Sequence, residues 1–296
     1  MARLLRLLLF CLWPLGTLSA SEILLVGGDD QPGFRSFVEA LQARRSHDQV
    51  RFKSIAALPR PAQLKADVRL VLLDNSALEW RLSDNNGPPA LAMRVSRVQA
   101  EQRLGKSRPA YLTLLWSDAP LARQLRLAHY LLPQAQRIGV LYGKHSQFLL
   151  DELRQAARPL GLEIVAQDWP DQRDSRPLQH LLASSDVLLG LDDPDLYNSK
   201  TAKNLLLSSY GRQMALIGPN AGFVRAGALA STYSDQDDWL AVLDRLLDQP
   251  PAHWPRSLYP ALYAVSGNQQ VARALGLEPI DPNATAKALA EGEPTP

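Results

Sequence analysis

The chain is poor in cysteine: Cys11 is the only one among its 296 residues. It lies in an apolar run, residues 7–15, behind Arg3 and Arg6 and ahead of the small-residue ending Leu18-Ser19-Ala20. Basic, then apolar, then small is the order of a secretory signal peptide, expected over residues 1–20. The run is too short to cross a bilayer, which takes about 20 helical residues, and Pro14 and Gly16 interrupt it. Cys11 follows Phe10 inside the apolar core and not a small residue at the cleavage point, so no lipid attachment is expected. Cleavage before Ser21 leaves a soluble, periplasmic chain with no disulfide, thiol nucleophile or cysteine metal site.

An excess of one charge is missing too. Of the 32 basic residues, Arg3 and Arg6 belong to the leader, so 30 basic residues face 30 acidic ones. Nucleic acid is not an expected partner, because its binding rests on a basic patch that neutralises phosphates. The histidines, His47, His129, His145, His180 and His253, are never paired at ligand spacing on one element, which argues against zinc. The acidic run Asp192-Asp193-Pro194-Asp195 lacks the turn glycine and distant glutamate of a calcium loop. Gly27-Gly28 lacks the third glycine of a dinucleotide fingerprint, and no P-loop lysine follows. Val265-Ser266-Gly267 lacks the preceding glycine of a hydrolase elbow. The sequence therefore assigns no catalytic residue, metal or cofactor, and reads as a binding protein rather than an enzyme.

What is present is an alternation of short apolar runs with helical patterns, the signature of parallel sheets covered by crossover helices. The mature length exceeds one ordinary domain of about 100–200 residues, so two α/β lobes are expected. Strands are predicted at 22–27, 50–55, 68–73, 90–94 and 111–115 for the first lobe. A long helix, 120–132, then leads into a second series at 137–142, 162–166, 186–191, 215–218 and 228–232, with helices between. The expected division is 21–117 plus about 250–280 for the first lobe and 118–249 for the second, the strand at 259–265 and helix at 269–275 returning to the first. Residues 281–296, rich in Ala, Glu and Pro without an apolar period, read as a disordered tail.

Four blocks carry a family resemblance: the run from Leu131 to Tyr142 (LLPQAQRIGVLY), Leu216-Ile217-Gly218, the run from Phe223 to Ser231 (FVRAGALAS), and the run from Asn268 to Leu277 (NQQVARALGL). In this order and spacing they resemble the ABC-transporter substrate-binding family that includes tryptophan- and tyrosine-binding proteins. The resemblance covers roughly residues 115–277. Upstream, the Gly-Thr-Pro and Thr-Asp-Pro turns usual in that family's first lobe are absent. The resemblance implies a two-lobed periplasmic-binding-protein fold with a hinged cleft. It also implies a monomer, an amino-acid-like or aromatic ligand, and an inner-membrane ABC permease as partner. A periplasmic sensor reporting to a signalling receptor is the alternative reading, and an exported two-lobed enzyme a third.

Parallel strands present their carboxyl ends, with loop amides and helix N-termini, to a ligand in the crevice. Residues just after strands are therefore the candidate contacts. In the second lobe Tyr142 and Tyr197 are expected to stack on a planar ligand. Asn198 and Asn220 are expected to hydrogen-bond its polar edge, Asp192 to hold an amino group, and Phe223 to wall or plug the pocket. In the first lobe Asp29, Asn75, Ser76 and Arg94 take the equivalent places, Arg94 with the geometry for a carboxylate.

Overall fold

The computed structural model describes residues 21–105 and 107–293, so the expected signal peptide at 1–20 lies outside the described residues. The chain begins with β1 (Glu22–Gly27), α1 (Pro32–Arg44), β2 (Gln49–Ser54), β3 (Arg69–Leu72), α2 (Asn75–Leu82), β4 (Ala90–Val95), α3 (Arg97–Leu104) and β5 (Leu112–Trp116). It continues through α4 (Leu121–Leu131), β6 (Arg137–Tyr142), α5 (Leu150–Ala157), β7 (Glu163–Asp168), α6 (Arg176–Ser184), β8 (Val187–Leu189) and α7 (Ala202–Tyr210). Then come β9 (Leu216–Ile217), α8 (Ala221–Ala226), β10 (Ala230–Tyr233), α9 (Gln236–Leu247), β11 (Ser257–Leu258), β12 (Ala264–Gly267), α10 (Gln269–Ala274) and α11 (Pro282–Glu291).

Local chemistry explains the alternation. Every residue of β1 after Glu22 is buried, as a parallel strand covered on both faces requires. Pro32 opens α1 where a missing N–H costs nothing. Asp74 and Ser96 cap α2 and α3 by accepting the Ala77 and Gln99 N–H groups. The strands assemble into two six-stranded sheets, in the order β11-β5-β4-β3-β1-β2 and β12-β10-β9-β8-β6-β7. All pairings are parallel except β12 on β10. The result is two parallel-dominated α/β lobes, as expected.

The first lobe buries apolar side chains on both sheet faces. Ile23, Leu25, Val71 and Leu115 pack with Trp239 and Leu243 of α9 on one face. Leu24, Val26, Leu72 and Leu114 pack with Leu78 and Ala100 on the other. The second lobe has one continuous core that takes in Leu125 and Leu127 of α4, Val265 of β12 and Leu289 of α11.

Two boundaries differ from the sequence expectation. Helix α9, expected in the second lobe, lies in the core of the first, and Arg44 and Arg45 of the first lobe pair with Asp237 and Asp248 at its two ends. The strand that returns to the first lobe is β11, just ahead of the expected 259–275, and it pairs with β5. Strand β12 instead closes the edge of the second sheet, with Ala230 opposite Gly267 and Tyr233 opposite Ala264. The periodicity of a helix shows that it has an apolar face but not which sheet that face covers, and α9 and β12 are exchanged for this reason. The chain thus passes between lobes three times, at 117–120, 234–235 and 259–263.

The expected disordered tail is also corrected. Residues 282–291 form α11, started by Asp281, which accepts the Asn283 and Ala284 N–H groups. Thr285 and Leu289 are buried, and Glu293 pairs with Arg123 (2.6 Å) and Arg126 (2.9 Å) of α4. Two inward positions and one ion-pair cluster are too sparse to register as an apolar period, yet they seat the helix. Deleting residues 282–296 is expected to cost roughly 3 kcal/mol, from lost apolar burial and two stranded arginines, lowering the midpoint in a thermal melt by about 8 °C.

Candidate functional site

The carboxyl ends of the two sheets meet through α3. Ser96, which caps α3, also donates from Oγ to the Asp192 carbonyl of the second lobe (3.2 Å). Arg97 forms a fork to Glu152 at 2.8 and 2.6 Å and lies 3.4 Å from the Tyr259 hydroxyl. Gln102 donates to the Asp195 carboxylate (2.9 Å). The space enclosed where these contacts converge is about 10 Å³, lined by Val98, Asp118, Gln124, Gly190, Asp192 and Pro219 among others. That is room for about one water molecule, so a solute between the lobes would hold them further apart than they stand here.

Two carboxylates face this space from opposite lobes. Asp118 follows β5, and its Oδ1 accepts the Arg97 N–H at the start of α3 (2.9 Å). Burial, and then the charge of Asp192, push its pKa up to about 7 against the partial relief given by Arg97. Asp192 follows β8 and is raised to about 6 by burial and by the neighbouring charge of Asp193, against partial relief from the nearby Asn220 side chain. Arg97 is the nearest cation, and its fork is already committed to Glu152. The pair is therefore short of positive charge. A protonated amine between the two carboxylates would supply it.

The floor is built to be stiff. Gln124 of α4, 3% exposed, donates to the Gly218 carbonyl and Ser231 Oγ and accepts from Thr232 N–H and Oγ1–H, at 3.1–3.2 Å. Gly190 lies so close to the next loop that an added Cβ would stand 2.7 Å from Pro219 Cδ. Asp193 does not face the cleft: it accepts from Ser146 Oγ (2.5 Å) and the Asp195 N–H (3.0 Å), tying two loops together.

Of the residues expected at the site, Asp192 and Asn220 come together there, while Tyr142 is half-buried at the end of β6 against the second-lobe core. Asn220 also caps α8 by accepting the Phe223 N–H. Tyr197 does not stack in the cleft. Its ring is 7% exposed, meets the Phe223 ring edge-on at 5.7 Å, and joins the second-lobe core with it. Asn198 spends its side chain locally, donating to the Pro194 and Asp195 carbonyls and accepting from Lys200 and Thr201 N–H groups. Tyr197→Ala is therefore expected to cost about 3 kcal/mol of folding stability in a denaturant titration, and Asn198→Ala about 1 kcal/mol as a lost turn.

In the first lobe Asp29 and Ser76 are exposed beside Gly28, whose N–H donates to Asp74 Oδ2 (2.8 Å). Asn75 is half-buried, with its Oδ1 enclosed and without a hydrogen-bond partner among the described residues. Arg94 lines a second pocket, with Phe34, Phe37, Met93 and Trp239 of the first lobe and Ser234 and Asp235 of the crossing between lobes. Sequence reasoning passed over Asp118, Gln124 and Arg97. The strand-end rule finds Asp118 once β5 is included, whereas Gln124 lies within a helix and carries no such signal. Among the described residues, no group of three or more His, Cys, Asp or Glu side chains is placed to hold a metal ion, and no helix is long and apolar enough to cross a membrane.

This arrangement is the two-lobed periplasmic-binding-protein fold. Among solved structures it resembles the ligand-free, open form of a substrate binding protein with adhesive properties from Clostridium difficile (17% identity, 88% of this chain and 97% of that one, TM-score 0.67). It also resembles an ABC domain in complex with L-Trp from Streptococcus pneumonia (16%, 91% and 98%, 0.59). A conserved domain protein from Vibrio cholerae matches similarly (16%, 92% and 99%, 0.59). No protein-family model and no curated protein matches the chain.

Proposed function

We propose that the protein captures a small amine-bearing solute, amino-acid-like in chemistry, between its lobes and delivers it from the periplasm to an ABC-type permease. The observation that carries this reading is the pair Asp118 and Asp192, one from each lobe, half-buried about one space with too little positive charge. An ammonium group between them would be held by both lobes at once. Its binding would therefore favour lobes drawn together around the solute, at a wider spacing than the present one, over lobes fully apart. The similarity in fold to a structure holding L-Trp is consistent with an amino acid as the solute. Three chain crossings supply the hinge, and α3 supplies the first-lobe contact surface.

Chemistry needs no bond to be made or broken. Asp118 and Asp192 bind, Asn220 orients Asp192, and Gln124 keeps the floor in place. Thermal unfolding against amino acids, amines, carboxylic acids and sugars tests the proposal. A solute at 100 times its Kd stabilises the fold by about 2.7 kcal/mol, or several degrees. Amine-bearing solutes are expected to produce that shift at pH 8. A shift produced only by acids or sugars would reject the reading.

A further inference from the structure

The near balance of 32 basic and 30 acidic residues does not hold along the whole chain. From Ser199 to Ser234 there are four cations, Lys200, Lys203, Arg212 and Arg225, and no Asp or Glu. This stretch carries α7 and α8, which meet where Leu206 lies beside Gly227, just after α8. All four cations are exposed, and none makes an ion pair among the described residues; Arg212 reaches only the Gln179 side chain (3.3 Å). Helix α7 turns Leu205 and Ser209 into the protein. Its outer face is apolar where a solvated helix face is polar. Leu207 is 61% exposed and Tyr210 54%, which places them among the most exposed large apolar side chains of the described residues. At 3.6 residues per turn, Lys203, Leu207 and Tyr210 fall within roughly 60° of one another around the helix axis. Half-buried Leu206 borders them. Single exposed apolar residues are ordinary on a protein surface, but these share one stripe with a lysine in a stretch free of acids.

We propose that this face of α7 rests on the surface of an anionic phospholipid bilayer, with Leu207 and Tyr210 at the depth of the headgroups and Lys200 and Lys203 against lipid phosphates. Arg212 and Arg225 add to the local positive charge, and each basic residue near an anionic bilayer strengthens attachment. Leucine brings apolar area to the interface, and tyrosine brings a ring whose hydroxyl stays in water. An acidic protein would complement the same charge, but one helical ridge gives a partner's side chain no pocket in which to anchor. A bilayer needs no pocket, because lipids rearrange around lysine stems and apolar side chains. Among the described residues no helix is long and apolar enough to cross a membrane, so the contact is shallow and reversible. The inference uses neither residue of the acid pair and does not depend on which solute is captured.

Co-sedimentation with lipid vesicles tests the proposal, using the chain from Ser21, which holds every element described. The vesicles are phosphatidylcholine alone, or phosphatidylcholine with a third of the lipid replaced by phosphatidylglycerol. Association is expected with the phosphatidylglycerol vesicles only, and is expected to be lost in about 1 M salt, where the Debye length is about 3 Å. Lys200→Glu with Lys203→Glu is expected to weaken it by roughly tenfold or more. Leu207→Ser with Tyr210→Ser is expected to weaken it as well, with the charge unaltered. Both pairs are exposed, so the melting temperature should stay that of the unaltered chain. Arg154→Glu with Arg158→Glu, at the end of α5 in the same lobe, makes the same change in net charge and is expected to leave association within about twofold. Equal loss in that control would show an effect of net charge and overturn the assignment to α7. Equal association with both kinds of vesicle would also overturn it. No association with phosphatidylglycerol would overturn it in favour of an acidic protein as the occupant.

Discussion

Replacing Asp118 and Asp192 together with asparagine is expected to weaken capture of an amine-bearing solute by about a hundredfold, because each hydrogen bond to a charged group contributes roughly 1.5–3 kcal/mol and every 1.4 kcal/mol is tenfold. The same double substitution is expected to stabilise the ligand-free protein at pH 8, where it removes two half-buried negative charges. The sign follows from the raised values of about 7 and about 6. A carboxylate raised on folding contributes stability that is complete below its unfolded value, near 3.9, and is lost as pH rises through its folded value. The melting temperature of the unliganded chain should therefore fall between pH 5 and 8, and the asparagine variant should lose most of that slope. Solute binding runs the other way: it requires ionised carboxylates and weakens as pH drops through 7 and 6. A variant with unchanged affinity, measured by calorimetry at pH 8, would move the amine site elsewhere.

Gln124→Leu is expected to be the most damaging single change near the cleft, costing about 3 kcal/mol and roughly 8 °C in the melting midpoint. Leucine restores the volume but none of the four hydrogen bonds. The Gly218 carbonyl and the Thr232 N–H are then left beside an apolar side chain, away from water. An enclosed polar group without a partner carries its full desolvation cost, about 1–3 kcal/mol each. Because Gln124 joins α4 to β9 and β10 under the acid pair, solute affinity should fall along with stability. Stability equal to that of the unaltered chain in a urea titration would mean that the floor relaxes to satisfy these groups.

Fold class was legible in the sequence because it rests on local pattern. The run of apolar residues in β1 and the Asp74 and Ser96 caps belong to the elements they specify. Lobe membership was less legible. The apolar stripe of α9 would suit either sheet, and β12 reads as a generic strand, so their exchange appears only in three dimensions. At the site, Asp192 and Asn220 were accessible from their place after strands. Tyr197 obeyed the same rule and failed, because its loop folds back and seals the ring against Phe223 and Gly190. Amphipathic residues at strand ends serve a core and a cleft equally well, and sequence spacing does not distinguish the two. Asp118 was passed over because it was read as a boundary between lobes, which is where a hinged site collects its contacts.

Proton release on binding tests the acid pair most directly, through calorimetry of an amine-bearing solute at pH 6.5 in two buffers of different ionisation enthalpy. With values of about 7 and about 6, the ligand-free pair holds on the order of one proton at that pH, and an ammonium between the carboxylates displaces it. The account predicts release of about one proton at pH 6.5 and almost none at pH 8.5, where both groups are already ionised. Binding without proton release at pH 6.5, or with uptake, would contradict it.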